Sequence, residues 1–210
     1  MAKKLENSLL NMFLSLTVIC VVVGGLLGLV ADVTAQPIQD AKDAAQKAAI
    51  AAVAPEFDAV ADPQNVEQPN GLEAIVFAVS KGGEVVGHAV QATTLKGFGG
   101  KVIIMFGFDL DGNITGYNVL DCSNETPGLG SKIPVWFQKG QKGDVIGKNP
   151  STNNLSVSKD GGEVDAITAA TITAATISSR AFCDAIAQAA SVLTGTDVET
   201  AASAQAGSNN

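Results

Sequence analysis

The hydropathy pattern falls into one long apolar run followed by a series of short alternating stretches. No charged residue lies between Glu6 and Asp32, which leaves 25 uncharged positions from Asn7 to Ala31, rich in Leu, Val and Ile. As a helix this run would be roughly 37 Å long at about 1.5 Å per residue, enough for a hydrocarbon core of about 30 Å. The pattern predicts a single transmembrane helix over residues 9–31. Lys3 and Lys4 precede it, so the excess of positive charge places residues 1–8 in the cytoplasm and the rest of the chain on the far side of the membrane. Val33-Thr34-Ala35 resembles a signal cleavage site, but the apolar run exceeds the roughly 7–15 residues of a signal core, and a retained anchor is expected. Cys20, inside the run and without a lipidation motif around it, reads as an apolar residue of the span.

Beyond the anchor, residues 32–70 read as a helical spacer and loop. Gln39–Val53 is alanine-rich and ends before Pro55; Asp62–Gly71, with two prolines and two asparagines, reads as loop. Period-two alternation then takes over. Glu73–Val79 and Glu84–Ala92 flank Lys81-Gly82-Gly83, and Lys101–Asp109 and Asn113–Asp121 flank Leu110-Asp111-Gly112, which predicts two hairpins. In Lys101–Asp109 both sets of alternate positions are apolar, as expected of a central strand covered on two faces. Pro134–Lys139 reads as a short amphipathic segment. A last helix begins in the threonine-rich run after Asp165 and ends near Thr194-Gly195. The predicted fold class is α+β: a small twisted, mainly antiparallel sheet with flanking helices, as an extracytoplasmic domain over residues 71–195. The tail 196–210, rich in Ala, Ser and Gly, is expected to be disordered.

Composition narrows the chemistry. With 13 Lys and Arg against 21 Asp and Glu, the formal charge is −8, which leaves no basic surplus to neutralise phosphates and argues against nucleic-acid binding. Three cysteines with no paired spacing and one histidine disfavour a structural zinc or an iron–sulfur centre, so no metal site is expected. His88 falls in mid-strand and reads as structural. Asp109 and Asp111 near Asn113 fit a β-turn better than a calcium loop. Cys122 and Cys183 read as core residues, although an oxidising compartment would allow them to pair.

Two segments stand apart. Glu125-Thr126-Pro127-Gly128-Leu129-Gly130 has two glycines two apart, which allow a backbone to approach a ligand closely. Asp165 then introduces a tandem pentad, Thr-Ala-Ala-Thr-Ile at 168–172 and again at 173–177, followed by Ser178-Ser179-Arg180. Hydroxyls and small residues opening a helix offer free backbone N–H groups, a positive dipole end and room for a phosphate.

The two segments, about forty residues apart, together resemble the FMN-binding domain family, in particular the G subunit of the ion-translocating oxidoreductase (Rnf) complex. The C subunit of the Na+-translocating NADH:quinone reductase is similar in the same places. The resemblance implies an electron-transfer subunit carrying FMN through a phosphodiester bond to a threonine, attached by a separate flavin transferase. It would work inside a membrane complex coupling electron flow between ferredoxin and NAD to ion movement, with no turnover of its own expected. A non-redox anchored binding domain is the reading from another class.

Carried over, Thr171 is the acceptor: Asp165 is six residues before it, Thr168 three before it and Ala170 immediately before it. The duplication gives Thr176 the downstream context instead, so Thr176 is the alternative. Ala169 stands where the family has Gly. By the same resemblance Glu125, Thr126, Gly128 and Leu129 lie along the flavin ring, with Thr126 and loop N–H groups as donors, and Lys132 approaches the phosphate.

Overall fold

The computed structural model describes residues 9–167 and 175–195. The chain divides into two units, residues 1–45 and 46–210. The expected span and the alanine-rich segment run together as one helix, α1, Leu9–Val53. Pro37 lies inside it, where its missing N–H removes one backbone hydrogen bond. Gln36 and Gln39 bond Asp40 and Asp43 one turn on, at 2.9 and 2.8 Å, and such pairs support the helix around that gap. Within α1 lies a window long and apolar enough to cross a membrane, and its large apolar side chains from Leu9 to Val33 are exposed.

Among its described residues the second unit has six strands, β1 Ala59–Val60, β2 Gln64–Glu67, β3 Glu73–Lys81, β4 Glu84–Gly97, β5 Gly100–Asp109 and β6 Ile114–Asp121. All pairings are antiparallel in the order β1-β3-β4-β5-β6, with β2 also pairing β3. The strand β2 falls where the sequence reads as loop. Its polar residues Gln64, Asn65 and Glu67 carry no apolar alternation, and only pairing with Glu73–Val76 makes the segment a strand, an effect of context over propensity. The β3–β4 turn is made by Gly82 and Gly83, both at positive φ (63° and 89°), the backbone that matches strand twist.

The sheet is covered on both faces. On one lie the last helix, α3 Thr176–Thr194, the one-turn α2 Ile133–Trp136 and the loops joining β6 to α3. Phe182 of α3 stacks on Phe137 with ring centroids 3.9 Å apart, and Phe106 and Tyr117 of the sheet close in at 5.7 and 4.8 Å. Tyr117 donates its hydroxyl to the Ile133 carbonyl at 2.7 Å and accepts from the Phe137 N–H, and burial raises its phenol above the ordinary range. On the other face, Ala49, Ile50 and Val53 from the end of α1 pack on Phe77, Val79, Ala89 and Met105. The strand β5 feeds both cores, as its doubly apolar pattern requires.

The end of α1 is seated by two glycines. Gly107 and Gly116 are cross-strand partners, and a Cβ at Gly107 would overlap the carbonyl of Val53. That carbonyl accepts a hydrogen bond from the Thr115 hydroxyl at 2.6 Å. Gly107→Ala is therefore expected to lower stability by about 1–3 kcal/mol, the usual cost of overpacking. Denaturant unfolding measures it, and an unchanged midpoint would show that the helix end does not need this close approach.

Candidate functional site: the loop Glu125–Gly130 and the start of α3

After β6 the chain makes a tight loop whose bonds run mostly inward. Thr126 offers its carbonyl to the N–H groups of Leu129 and Ser131 at 3.1 and 3.2 Å; Lys132 N–H returns to the Leu129 carbonyl, and Gly128 N–H to the Ser131 hydroxyl at 2.8 Å. Gly128 sits at φ 77° with open space beside it, a conformation that excludes most side chains. Gly130 opens a 3-10 turn, Gly130–Lys132, whose Lys132 side chain is exposed. The loop is thus a preformed surface. Its N–H groups at 128, 129, 131 and 132 are already bonded internally, whereas Thr126 and Leu129 both stay half-buried.

Glu125 does not point outward. It is buried, with one oxygen accepting from the Gly99 N–H at 3.1 Å and the other from the Ser178 hydroxyl. One carboxylate therefore ties three pieces of chain: the β4–β5 turn, its own loop and the first turn of α3. Glycines make room for it, since a Cβ at Gly97 or Gly130 would run into its oxygens. A second buried carboxylate, Asp184, holds α3 to β4 by accepting from Thr94 (2.7 Å) and Lys96 (2.9 Å).

The threonine-rich run is held at both stems. Ile167 N–H donates to the Ser179 hydroxyl at 2.8 Å, and that hydroxyl donates to the Ala175 carbonyl at 2.9 Å. Trp136 donates its indole N–H to the Asp165 carbonyl, and the Asp165 carboxylate accepts from Ser158. Thr168, Ala170 and Thr171 lie outside the described residues. Thr176 is the first residue of α3, and its hydroxyl oxygen is 3.4 Å from the Lys159 ammonium. Among the described residues no side chain caps α3, and the first turn presents N–H groups that have no carbonyl within the helix.

Lys159 belongs to a 3-10 turn, Ser158–Asp160, ended by Gly161 at φ 85°. Its neighbour Asp160 is gripped by Arg180 through two bonds of 2.7 and 2.6 Å. That guanidinium holds the Asp160 carboxyl below the ordinary carboxylate value of 3.8. A lowered carboxylate contributes stability above its unfolded value and loses it as pH falls through the folded one. The stability deficit of Asp160→Asn is therefore expected in full at neutral pH and to fade as pH drops below 3.8. Acid unfolding of both proteins measures this, and a deficit that persists unchanged in acid would contradict it.

The cysteines are free. Burial pushes the Cys183 thiol up to about 12 and raises that of Cys122, with Asp121 and Glu125 adding to the latter. Both belong to the helix-side core as apolar residues. His88 is half-buried between Ala78 and Phe108, and burial lowers its imidazole below the ordinary value. Asp109 accepts from the N–H groups of Asp111 and Asn113 and from the Asn113 amide, an ordinary turn.

These residues fit a flavin phosphate. The first turn of α3 and the Lys159 ammonium suit an anion, while exposed Phe98 (64%) and Ile177 (45%), with half-buried Leu129, give apolar contacts for a flat ring beside the Glu125 clasp. Sequence reasoning misses Lys159, which carries no motif, and the tying role of Ser178 and Ser179, which the motif contributes only as context.

Residues 97–191, from the β4–β5 turn through α3, match the family described as FMN-binding domain. The fold and the site thus define an FMN-binding domain. Over 168 residues, 76% of this chain and 72% of the relative, the chain is 34% identical to the G subunit of the ion-translocating oxidoreductase complex of Stutzerimonas stutzeri. It is 39% identical over 101 residues, 47% of each protein, to the protein of that name from Aliivibrio fischeri, so it spans about half the length of that relative. Identity is 34% over 131 residues, 60% of each protein, to the G subunit of the Na(+)-translocating ferredoxin:NAD(+) oxidoreductase complex of Acetobacterium woodii. The chain belongs to the family of ion-translocating oxidoreductase complex G subunits.

Proposed function

We propose that this chain is the FMN-carrying electron-transfer subunit of a membrane-bound ion-translocating ferredoxin:NAD oxidoreductase complex. The observation that carries the reading is the clasp made by Glu125. It fixes the Glu125–Gly130 loop against the first turn of α3, where the second motif runs into the helix at Ser178. Bound FMN supplies reversible one- and two-electron redox chemistry; the protein holds, orients and electrostatically tunes it.

In this reading the FMN is esterified through its phosphate to a threonine of the duplicated run, by a separate flavin transferase, so that it does not dissociate. Thr171 follows from the spacing to Asp165 and Thr176 from the spacing to Arg180. The α3 N–H groups and Lys159 face the phosphate, while Thr126, Gly128 and Leu129 lie along the ring. The first helix anchors the domain, with Lys3 and Lys4 on the cytoplasmic side and the FMN domain on the extracytoplasmic side. The other subunits of the complex are its redox partners. With no cysteine cluster or dinucleotide-binding fingerprint in the sequence, the chain relays electrons between neighbours and does not itself take them from ferredoxin or NADH.

The test is purification of the tagged full chain from membranes of its own host in mild detergent. The expected result is a coloured preparation that brings further membrane subunits with it and whose flavin absorbance bleaches on adding the complex's reductant. A colourless chain purified alone would contradict the proposal.

A further inference from the structure

The duplicated pentad leaves two threonines that satisfy half of the motif each, and the surroundings of one of them favour it. Resting on the covalent reading above, we propose that Thr176 is the residue that carries FMN, and that Lys159 is the cation that receives the phosphodiester there.

Three independent features converge on Thr176. It begins α3, and two residues later Ser178 donates to Glu125, so Thr176 is two residues from the clasp that binds the Glu125–Gly130 loop. Thr171 stands five residues farther from that clasp along the chain. Next, the Lys159 ammonium stands 3.4 Å from the Thr176 hydroxyl oxygen. Finally, the carboxylate nearest Lys159 in sequence, Asp160, is taken up by a two-pronged bond to Arg180, one helical turn beyond Thr176. The hydrogen bonds of Asp160 thus go to the guanidinium, and the Lys159 ammonium, although it also feels the Asp160 charge, bonds the threonine hydroxyl.

A phosphodiester carries one negative charge next to the ester oxygen. An ammonium already bonded to that oxygen needs only a small side-chain rotation to reach a non-bridging phosphate oxygen, a charge-assisted bond of the stronger kind. The pentad supports the same assignment: Thr173-Ala174-Ala175-Thr176 repeats Thr168-Ala169-Ala170-Thr171 and is the copy that runs directly into Ile177-Ser178-Ser179-Arg180. Attachment exchanges the Thr176 O–H bond for an O–P bond. The donor is a flavin nucleotide activated as a pyrophosphate diester; its P–O–P bond breaks, and the nucleoside monophosphate leaves with the proton. No electron changes hands in this step.

Cleavage after Lys159 and Arg180 releases residues 160–180 as one peptide holding both threonines. Fragmentation of this peptide from protein made in its own host is expected to place FMN on Thr176. Thr176→Val is expected to abolish the modification and Thr171→Val to leave it. FMN on Thr171 would overturn the assignment and leave the function intact, whereas a peptide with no FMN would overturn both. For the lysine, Lys159→Gln is expected to lower the flavinylated fraction early in expression roughly tenfold, the scale of one charge-assisted bond. Lys159→Arg is expected to restore most of it, with the same thermal midpoint in all three proteins. Equal flavinylation of Lys159→Gln and wild type, or a loss that tracks a fallen midpoint, would overturn the role given to Lys159.

Discussion

Glu125→Ala is expected to destabilise the domain by about 2–5 kcal/mol, because it strands two buried donors, each costing about 1–3 kcal/mol. The donors are the Gly99 N–H and the Ser178 hydroxyl. The carboxylate's own desolvation offsets part of what it contributes, which keeps the loss below the sum for a fully charged pair. The consequence for function is larger than the stability figure suggests. Without the carboxylate the loop 125–130, the Gly97–Gly100 turn and the start of α3 lose their shared anchor, and flavin loading falls even where the core survives. Glu125→Gln keeps an acceptor for Gly99 but turns an amide group toward Ser178, so it is expected to fall between wild type and Glu125→Ala in both stability and loading. Urea unfolding and flavin content of the same preparations check this. A fully stable, fully loaded Glu125→Ala protein would show that the motif glutamate has no tying role.

Phe182→Ala is expected to cost about 3–5 kcal/mol, the range for truncating a buried aromatic, and to lower the melting midpoint by about 10 °C or more. Phe182 touches Phe106, Tyr117 and Phe137, so its loss opens a cavity between α3, the sheet and α2. The stacked partner Phe137 sits one residue after Trp136, which pins the Asp165 carbonyl. The cavity therefore loosens the same stem from which the threonine run departs. Calorimetry of the variant reads the effect; a midpoint within about 2 °C of wild type, under 1 kcal/mol for a domain this size, would contradict it.

Much of this fold is legible from local patterns because its strands are joined by short hairpins. Gly82-Gly83 and Leu110-Asp111-Gly112 announce two turns, and period-two alternation delivers four of the six strands with edges displaced by a few residues. β2 is missed because Gln64, Asn65 and Glu67 become a strand only through pairing with β3. The junction of the span with the following helix is missed for a different reason: the apolar run ends at Ala31 and the alanine-rich segment begins at Gln39, yet the helix continues between them and absorbs the hydrogen bond missing at Pro37. At the site, the sequence identifies both motifs but not how they meet. A buried glutamate and an exposed one look the same in a string of letters, and Ser178 reveals its role only once α3 carries it back to Glu125. Lys159 leaves no trace at all, since its proximity to Thr176 depends on the fold of the loops after β6.

Intact-mass measurement of the full chain isolated from membranes of its own host bears most directly on the central claim. A single increment equal to FMN less one water, retained after denaturation, is the predicted result. A chain at its unmodified mass, from a host that flavinylates other proteins, would contradict the claim that this domain is a covalent FMN carrier.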